Sequence, residues 1–238
     1  MKMRINKFIA AHTNYSRRKA DELIRQKRVK VNNRLARVGE QIDPDNDSIT
    51  VDFKNINIRK QKMEYYCVYK SLNTIVTKSD EKHRPIIYDT LPDKFRKFNP
   101  AGRLDFDSEG ILIMTNDGDF LNYIIHPSSE VQKKYRAKIF GNLGNEEIER
   151  LNRGIHYQGE TYRLDTVDIV SYNRNTDKSD IRIVISHGKN REIRNALKSI
   201  GHPVISLKRT AVGNIDLDFL GARNYRKFDK SYFKPEVE

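Results

Sequence analysis

At positions 103–110 the chain reads RLDFDSEG, which sets Asp105, Asp107 and Glu109 on alternate residues ahead of Gly110. Three readings of these carboxylates compete. An EF-hand calcium loop begins with acids at positions 1, 3 and 5 and Gly at 6, but it also needs a bidentate Glu at position 12. Counted from Asp105, that residue is Asn116, and Ile111-Leu112-Ile113-Met114 in between is an apolar run rather than a ligand loop. A glycosidase pair needs two carboxylates about 5–9.5 Å apart. Alternate residues on an extended face could reach that spacing, yet nothing else in the chain points to sugar polymers. The third reading is a solvated turn.

Other chemistries find no support. The six histidines, His12, His83, His126, His156, His187 and His202, are scattered, and Cys67 is the single cysteine, so the sequence predicts no metal site. There is no G-x-S-x-G elbow and no G-x-G-x-x-G. Gly188-Lys189 lacks the upstream glycine of a phosphate-binding loop, because Ile183 stands there.

The charge points to a partner. The 238 residues carry a net charge of +13, and the first 60 hold 15 Lys and Arg against 7 Asp and Glu. A basic module joined to a more balanced body suits a polyanion such as RNA. A lone cysteine excludes an intrachain disulfide and suits a reducing cytoplasm. The opening MKMRINKFIAAH lacks the apolar core of a signal peptide, and no segment is apolar enough to span a membrane.

The elements that must position these residues follow from periodicity. Ile5, Phe8, Ile9 and His12 recur at helical spacing. Ser16 is a good N-cap for RRKADELIRQK, whose apolar stripe is Ala20, Leu23 and Ile24. Val29 and Val31 alternate into a strand, Asn32-Asn33 turns, DPDND turns again, and SITVDF reads as a strand, leaving 54–63 as a linker. Beyond it, 64–70 and 131–140 read as strands, GILIM as a buried strand, DFLNYIIHP and NEEIERLNRGI as helices, 180–188 as a strand and 190–201 as a helix. Strands and helices without regular βαβ alternation predict an α+β fold.

RINKFI, SRRKADELIRQKRVKVNNR, V-G-E and D-S-I-T-V together resemble the small S4-type RNA-binding module of two helices and short strands. Lys27 and Asn33 stand where that module commonly has glycine. A helix start bearing Arg17, Arg18 and Lys19, with Lys30 on the hairpin, offers N–H groups and positive charge to phosphates.

AGRLDFDSEGILIMTNDGDF resembles the catalytic motif of the RsuA family of rRNA-modifying pseudouridine synthases, matching at Gly102, Arg103, Leu104, Asp105, Ser108, Gly110, Thr115, Asn116, Asp117 and Gly118. A second match is the strand around Tyr135, and a third is HGKNREIRNALKSIGHPVISLKR, with Asn195 in place of a more usual arginine. The resemblance implies a mainly antiparallel central sheet flanked by helices, and catalysis without cofactor or metal. It implies Asp105 as the catalytic carboxylate, Arg194 as the cation beside it, and Tyr135 stacked on the uracil. Arg103 and Arg191 are implied as RNA contacts, Arg103 alternatively as a brace for its loop. Two further carboxylates pointing the same way would oppose ionisation of Asp105, so Asp107 and Glu109 are expected to be solvated or capping.

The expected division is residues 1–60 as the RNA-binding module and 61–238 as the catalytic domain. The expected activity is isomerisation of a uridine in large-subunit rRNA, with rRNA or a ribosomal-subunit assembly intermediate as partner. Small-subunit rRNA, or a non-catalytic RNA-binding assembly factor, are the alternatives. A cytoplasmic monomer that touches no membrane is expected.

Overall fold

The computed structural model describes residues 2–58 and 62–236 and falls into two compact units, Met1–Lys62 and Met63–Glu238. In the first unit, helices Ile5–His12 and Arg17–Arg25 bury Ile5, Phe8, Ile9, Leu23 and Ile24 against Val29, Val31 and Ile49. Ser16 caps the second helix, its Oγ accepting from the Lys19 N–H at 3.1 Å. The sheet runs in the order Arg34–Leu35, Val29–Val31, Ile49–Val51, Lys54–Asn55, all antiparallel. Lys27 and Asn33 do what glycine does elsewhere, adopting φ of 59° and 67°. The stretch expected to be linker differs at its start: Lys54–Asn55 adds an edge strand, with Val51 opposite Lys54. Residues 59–61 of that stretch lie outside the described residues.

The second unit is built on one long sheet. Its order is Thr166–Asn173, Lys178–Ile185, Lys133–Phe140, Val204–Val212, Glu109–Thr115, Tyr65–Lys70, Tyr225–Phe228. Every neighbouring pair is antiparallel except Val204–Val212 beside Glu109–Thr115, which run parallel with Arg209 opposite Gly110. Glycine is needed there: Gly110 has φ 119°, and a Cβ on it would lie 2.1 Å from the Arg209 carbonyl oxygen. Helices Gly118–Ile125, Asn145–Arg153 and Glu192–Ser199 pack beside the sheet through Phe120 and Ile124, Leu151, and Ile193, Ala196 and Leu197.

Three of these strands have no counterpart in the sequence reading, the short end strand Tyr225–Phe228 among them. Val204–Val212 buries Leu207, Arg209 and Ala211, so a buried arginine interrupts the apolar alternation that marks a strand. Thr166–Asn173 is an edge strand with most side chains exposed, and it carries little apolar pattern to read. No helix among the described residues is long and apolar enough to cross a membrane.

Candidate active site

The turn after Leu104 is where the motif becomes geometry. Ser108 N donates to the Asp105 carbonyl at 3.1 Å, folding DFDS back on itself before the strand Glu109–Thr115 begins. Two buried cations hold that turn from different elements. Lys70, at the end of its strand and fully buried, donates from Nζ to the Ser108 carbonyl at 2.6 Å and the Ser71 carbonyl at 3.0 Å. Arg194, on the helix Glu192–Ser199, donates from Nη2 to the Asp107 carbonyl at 2.7 Å and to Ser108 Oγ at 3.2 Å. The far end of the motif is structural in the same way. Asp117 caps the helix Gly118–Ile125, accepting from the Asp119 and Phe120 N–H groups at 3.0 Å, and Asn116 Oδ1 accepts from the Glu64 N–H at 2.8 Å.

A cleft of about 280 Å³ opens beside this turn, near the small end of the ~300–1,000 Å³ usual for ligand pockets. Asp105, Tyr135 and Arg194 all line it, and so do Arg103 and Arg191. Asp105 comes from the turn, Tyr135 from the strand Lys133–Phe140 and Arg194 from the helix, so three separated segments converge. Tyr135 is 7% exposed, whereas the Asp105 side chain keeps 30% of its surface open. Arg17, Arg18, Lys19 and Lys30 belong to the first unit. There Arg17 and Arg18 are exposed at the second helix start, while Lys19 pairs with Glu22 at 2.9 Å.

The charge pairing differs from the expectation. Arg194 faces Asp107, with Nε 3.4 Å from Oδ2, and it is Arg191 whose Nη1 comes within 3.7 Å of Asp105 Oδ2. Arg191 also holds Asp107 through its two terminal guanidinium nitrogens, Nη1 and Nη2, at 3.2 and 3.1 Å. Asp107 is therefore not merely a solvated acid but the anchor of two arginines. Burial alone would raise its carboxyl, but the Arg191 hydrogen bonds and the charges of both arginines hold it below the usual carboxylate range. Glu109 is engaged as well, accepting from Tyr69 at 2.6 Å and pairing with Lys208 at 3.2 Å. The cause lies in the backbone. Arg191 takes φ 50° as it enters its helix, a left-handed conformation uncommon for a long side chain, and its side chain meets the turn.

Lys133 and Arg209 are further cleft residues that the sequence reading did not single out. Lys133 lies two residues before Tyr135, so both point to the same sheet face, and its Nζ donates to the Ser186 carbonyl at 3.0 Å. Its spacing to the tyrosine was the available signal. Arg209 is 4% exposed, donates from Nε to the Ile111 carbonyl at 2.7 Å, and its buried Nη2 has no partner among the described residues. A register shift between Lys134 and Tyr135 sets Arg209 opposite Tyr135 in the ladder. Asn195, the departure from the motif, donates to the Tyr162 hydroxyl at 3.0 Å.

The buried lysines give a testable pH dependence. Burial pushes Lys70 down to about 8 against the pull of the Asp105, Asp107 and Glu109 charges. Burial, with Arg209 adding to it, pushes Lys133 down to about 8 as well. Below pH 8 both forms of the chain hold these protons and the folded state bears the full cost of two buried charges. Above it the folded state releases them while the unfolded lysines, titrating near 10.4, keep theirs, so stability rises with pH. The buried Cys67 thiol, pushed up to about 12, works in the opposite direction once its unfolded counterpart ionises, which confines the clean window to pH 8–9. The melting midpoint should climb across that window, and Lys70→Met or Lys133→Met should each flatten the climb. Parallel profiles for wild type and both variants in scanning calorimetry would show that neither lysine contributes.

Comparison with known proteins gives the family of the chain. Residues 64–199 match the family model described as RNA pseudouridylate synthase, and residues 3–48 match that of the S4 domain. The ribosomal large subunit pseudouridine synthase B of Bacillus subtilis (strain 168) is 33% identical over 215 residues, 90% of this chain and 87% of that protein. The protein of the same name from Vibrio cholerae serotype O1 is 32% identical over 224 residues, 92% of this chain and 68% of its own length. A crystal structure of a pseudouridylate synthase shares the fold at a TM-score of 0.65 and 24% identity, covering 96% of this chain and 97% of that one. With the motif turn, the converging cleft residues and these matches together, the chain belongs to the RNA pseudouridylate synthases, isomerases that turn uridine into pseudouridine, and carries an S4 domain before its synthase domain.

Proposed function

We propose that this enzyme isomerises a uridine of large-subunit ribosomal RNA, with Asp105 as the carboxylate that acts at the ribose. The observation that carries this reading is the convergence of Asp105, Tyr135 and Arg194 on one cleft. The names of the two relatives support the large subunit as the source of the substrate.

The reaction breaks the bond from ribose C1′ to uracil N1 and forms one from C1′ to C5. C5 loses a proton and N1 gains one, so no atom is added and no electron acceptor is needed. Asp105 either bonds to the sugar or removes a ribose proton, and both routes need it ionised. Arg191 brings a positive charge within 3.7 Å of the Asp105 carboxylate. Tyr135 stacks on the uracil and keeps it in the cleft while it turns over. The detached base carries negative charge at N1, and Lys133 and Arg209, both buried cleft residues, offer positive charge, which counts for more away from bulk water. Arg194 is a positioning residue, because it grips the backbone of the Asp105 turn.

The target base must leave its stack to reach this cleft, which costs a few kcal/mol and is easiest in a loop or single strand. Arg17, Arg18, Lys19 and Lys30 of the S4 unit, with Arg103 and Arg191 at the cleft, supply phosphate contacts whose strength falls with salt. In this reading residues 1–60 anchor RNA, 61–238 catalyse, and the enzyme acts as a cytoplasmic monomer, in keeping with a single buried cysteine.

Tritium release from carbon-5-labelled uridine tests the reading, with large- and small-subunit rRNA fragments run side by side. Release from large-subunit fragments alone is expected. Release from small-subunit fragments alone would move the substrate to the other subunit. No release from any fragment or assembly intermediate that the protein binds would make the chain a non-catalytic RNA-binding factor.

A further inference from the structure

Phe53 is 90% exposed, the highest value among the large apolar side chains described. Val51 pairs with Lys54, so Asp52 and Phe53 alone form the turn of their hairpin. Their φ angles are 49° and 64°. A two-residue hairpin turn with both φ positive is the type for which Asp-Gly or Asn-Gly is the usual sequence. Asp52 meets the requirement. Phe53 sits where glycine would be free of strain and a bulky side chain is an outlier. Its exposure leaves it little packing to compensate. Strain held at an exposed tip is a reason to look for a function.

The surroundings name the partner. Arg28 fixes the turn, its Nε and Nη2 donating to the two Asp52 carboxylate oxygens at 2.6 Å each. The Lys30 ammonium lies 5.6 Å from the Phe53 ring centroid. Asp52 and Lys54, which flank Phe53, also line a groove of about 560 Å³ together with Tyr15, Asn55 and Asn57. The first 60 residues carry 15 Lys and Arg against 7 Asp and Glu. An aromatic ring presented among cations, beside a groove with a second aromatic and amides, has the make-up of a single-stranded nucleic-acid site. Every base offers a π-face to such a ring whatever its sequence.

We propose that Phe53 is a stacking platform for one unpaired base of RNA, with Lys30 and Lys54 on the adjoining phosphates. The inference rests on the reading of this unit as RNA-binding and adds that it grips an unpaired nucleotide as well as backbone charge. A protein partner for the same ring is an outcome the test separates.

The test uses the full-length protein, Phe53→Gly and Phe53→Trp, and two probes: an RNA hairpin with an unpaired purine tail and the same hairpin blunt-ended. Phe53→Gly should weaken binding to the tailed hairpin by about 5- to 150-fold, the range for losing one base–aromatic stack, and barely change binding to the blunt one. The same substitution should raise the melting midpoint by a few degrees, because it relieves the turn. Phe53→Trp should keep the affinity, and since the chain has no other tryptophan, its emission should be quenched by the tailed hairpin alone. Wild type binding the tailed hairpin while Phe53→Gly binds equally well, or an unquenched tryptophan, would overturn the proposal and leave the RNA-binding reading standing. A lowered melting midpoint in Phe53→Gly would make the ring a packing residue and also overturn it. Failure of wild type to bind either RNA would remove the reading and the proposal together.

Discussion

Asp105→Asn should lower the rate of pseudouridine formation by about 10⁴-fold or more, the scale on which enzymes lose a group that acts directly on the reacting bond. The substitution keeps the shape and removes the charge. Asp105 is held by its backbone turn and has a loose 3.7 Å pairing with Arg191, while Arg191 keeps its two contacts to Asp107. The turn and the fold should therefore survive, and RNA affinity should stay within about threefold of wild type, since only one partly exposed charge is gone. Single-turnover tritium release and filter binding on the same preparations separate the two effects. Retention of a tenth or more of the wild-type rate would shift the chemistry away from Asp105. Asp107 would then be the first alternative, because it carries the stronger arginine pairing.

Arg194→Met should cost both stability and rate. Arg194 is 9% exposed and donates to the Asp107 carbonyl, to Ser108 Oγ and, at 3.4 Å, to the Val204 carbonyl. Removing a buried donor of charged hydrogen bonds costs about 2–4 kcal/mol, which for a unit of this size is a fall of roughly 5–15 °C in the melting midpoint. The same bonds set the turn that carries Asp105. A misplacement of about 1 Å can cost on the order of 10²-fold in rate, and the loss should fall on kcat more than on KM. Arg194→Lys should recover part of the stability and little of the rate, because an ammonium cannot reproduce the planar fork. A variant as unstable as Arg194→Met but fully active below its melting midpoint would show that Arg194 only props the fold.

Much of this protein is legible in its amino-acid sequence. Ser16, the stripe Ala20, Leu23 and Ile24, and the alternation over 131–140 describe elements whose residues interact locally, so spacing alone reveals them. The motif from Gly102 to Gly118 is legible for a related reason. Its glycine, its capping Asp117 and its apolar strand are each required by the local chain path, and Gly110 by the close approach of Arg209. The sequence by itself, through the resemblance its motifs carry, thus pointed to the turn with the candidate carboxylate and to the helix and strand expected to supply its companions.

Only the tertiary structure decided how the charges divide. Asp105 and Asp107 are two residues apart and chemically equal, and sequence spacing favoured neither as the partner of Arg194. The answer came from where the helix Glu192–Ser199 meets the turn, eighty-odd residues away along the chain. Burial of Lys70 and Arg209 was equally hidden, since a lysine or arginine in a sequence reads as surface until a sheet closes over it. The turn at Phe53 is the same lesson in miniature. The letters D-F suggest no tight turn, and only pairing of Val51 with Lys54 forces both residues into positive φ and lifts the ring into solvent. Local interactions write themselves into spacing, whereas the energy of a charge depends on what surrounds it, and that is fixed only when distant segments meet.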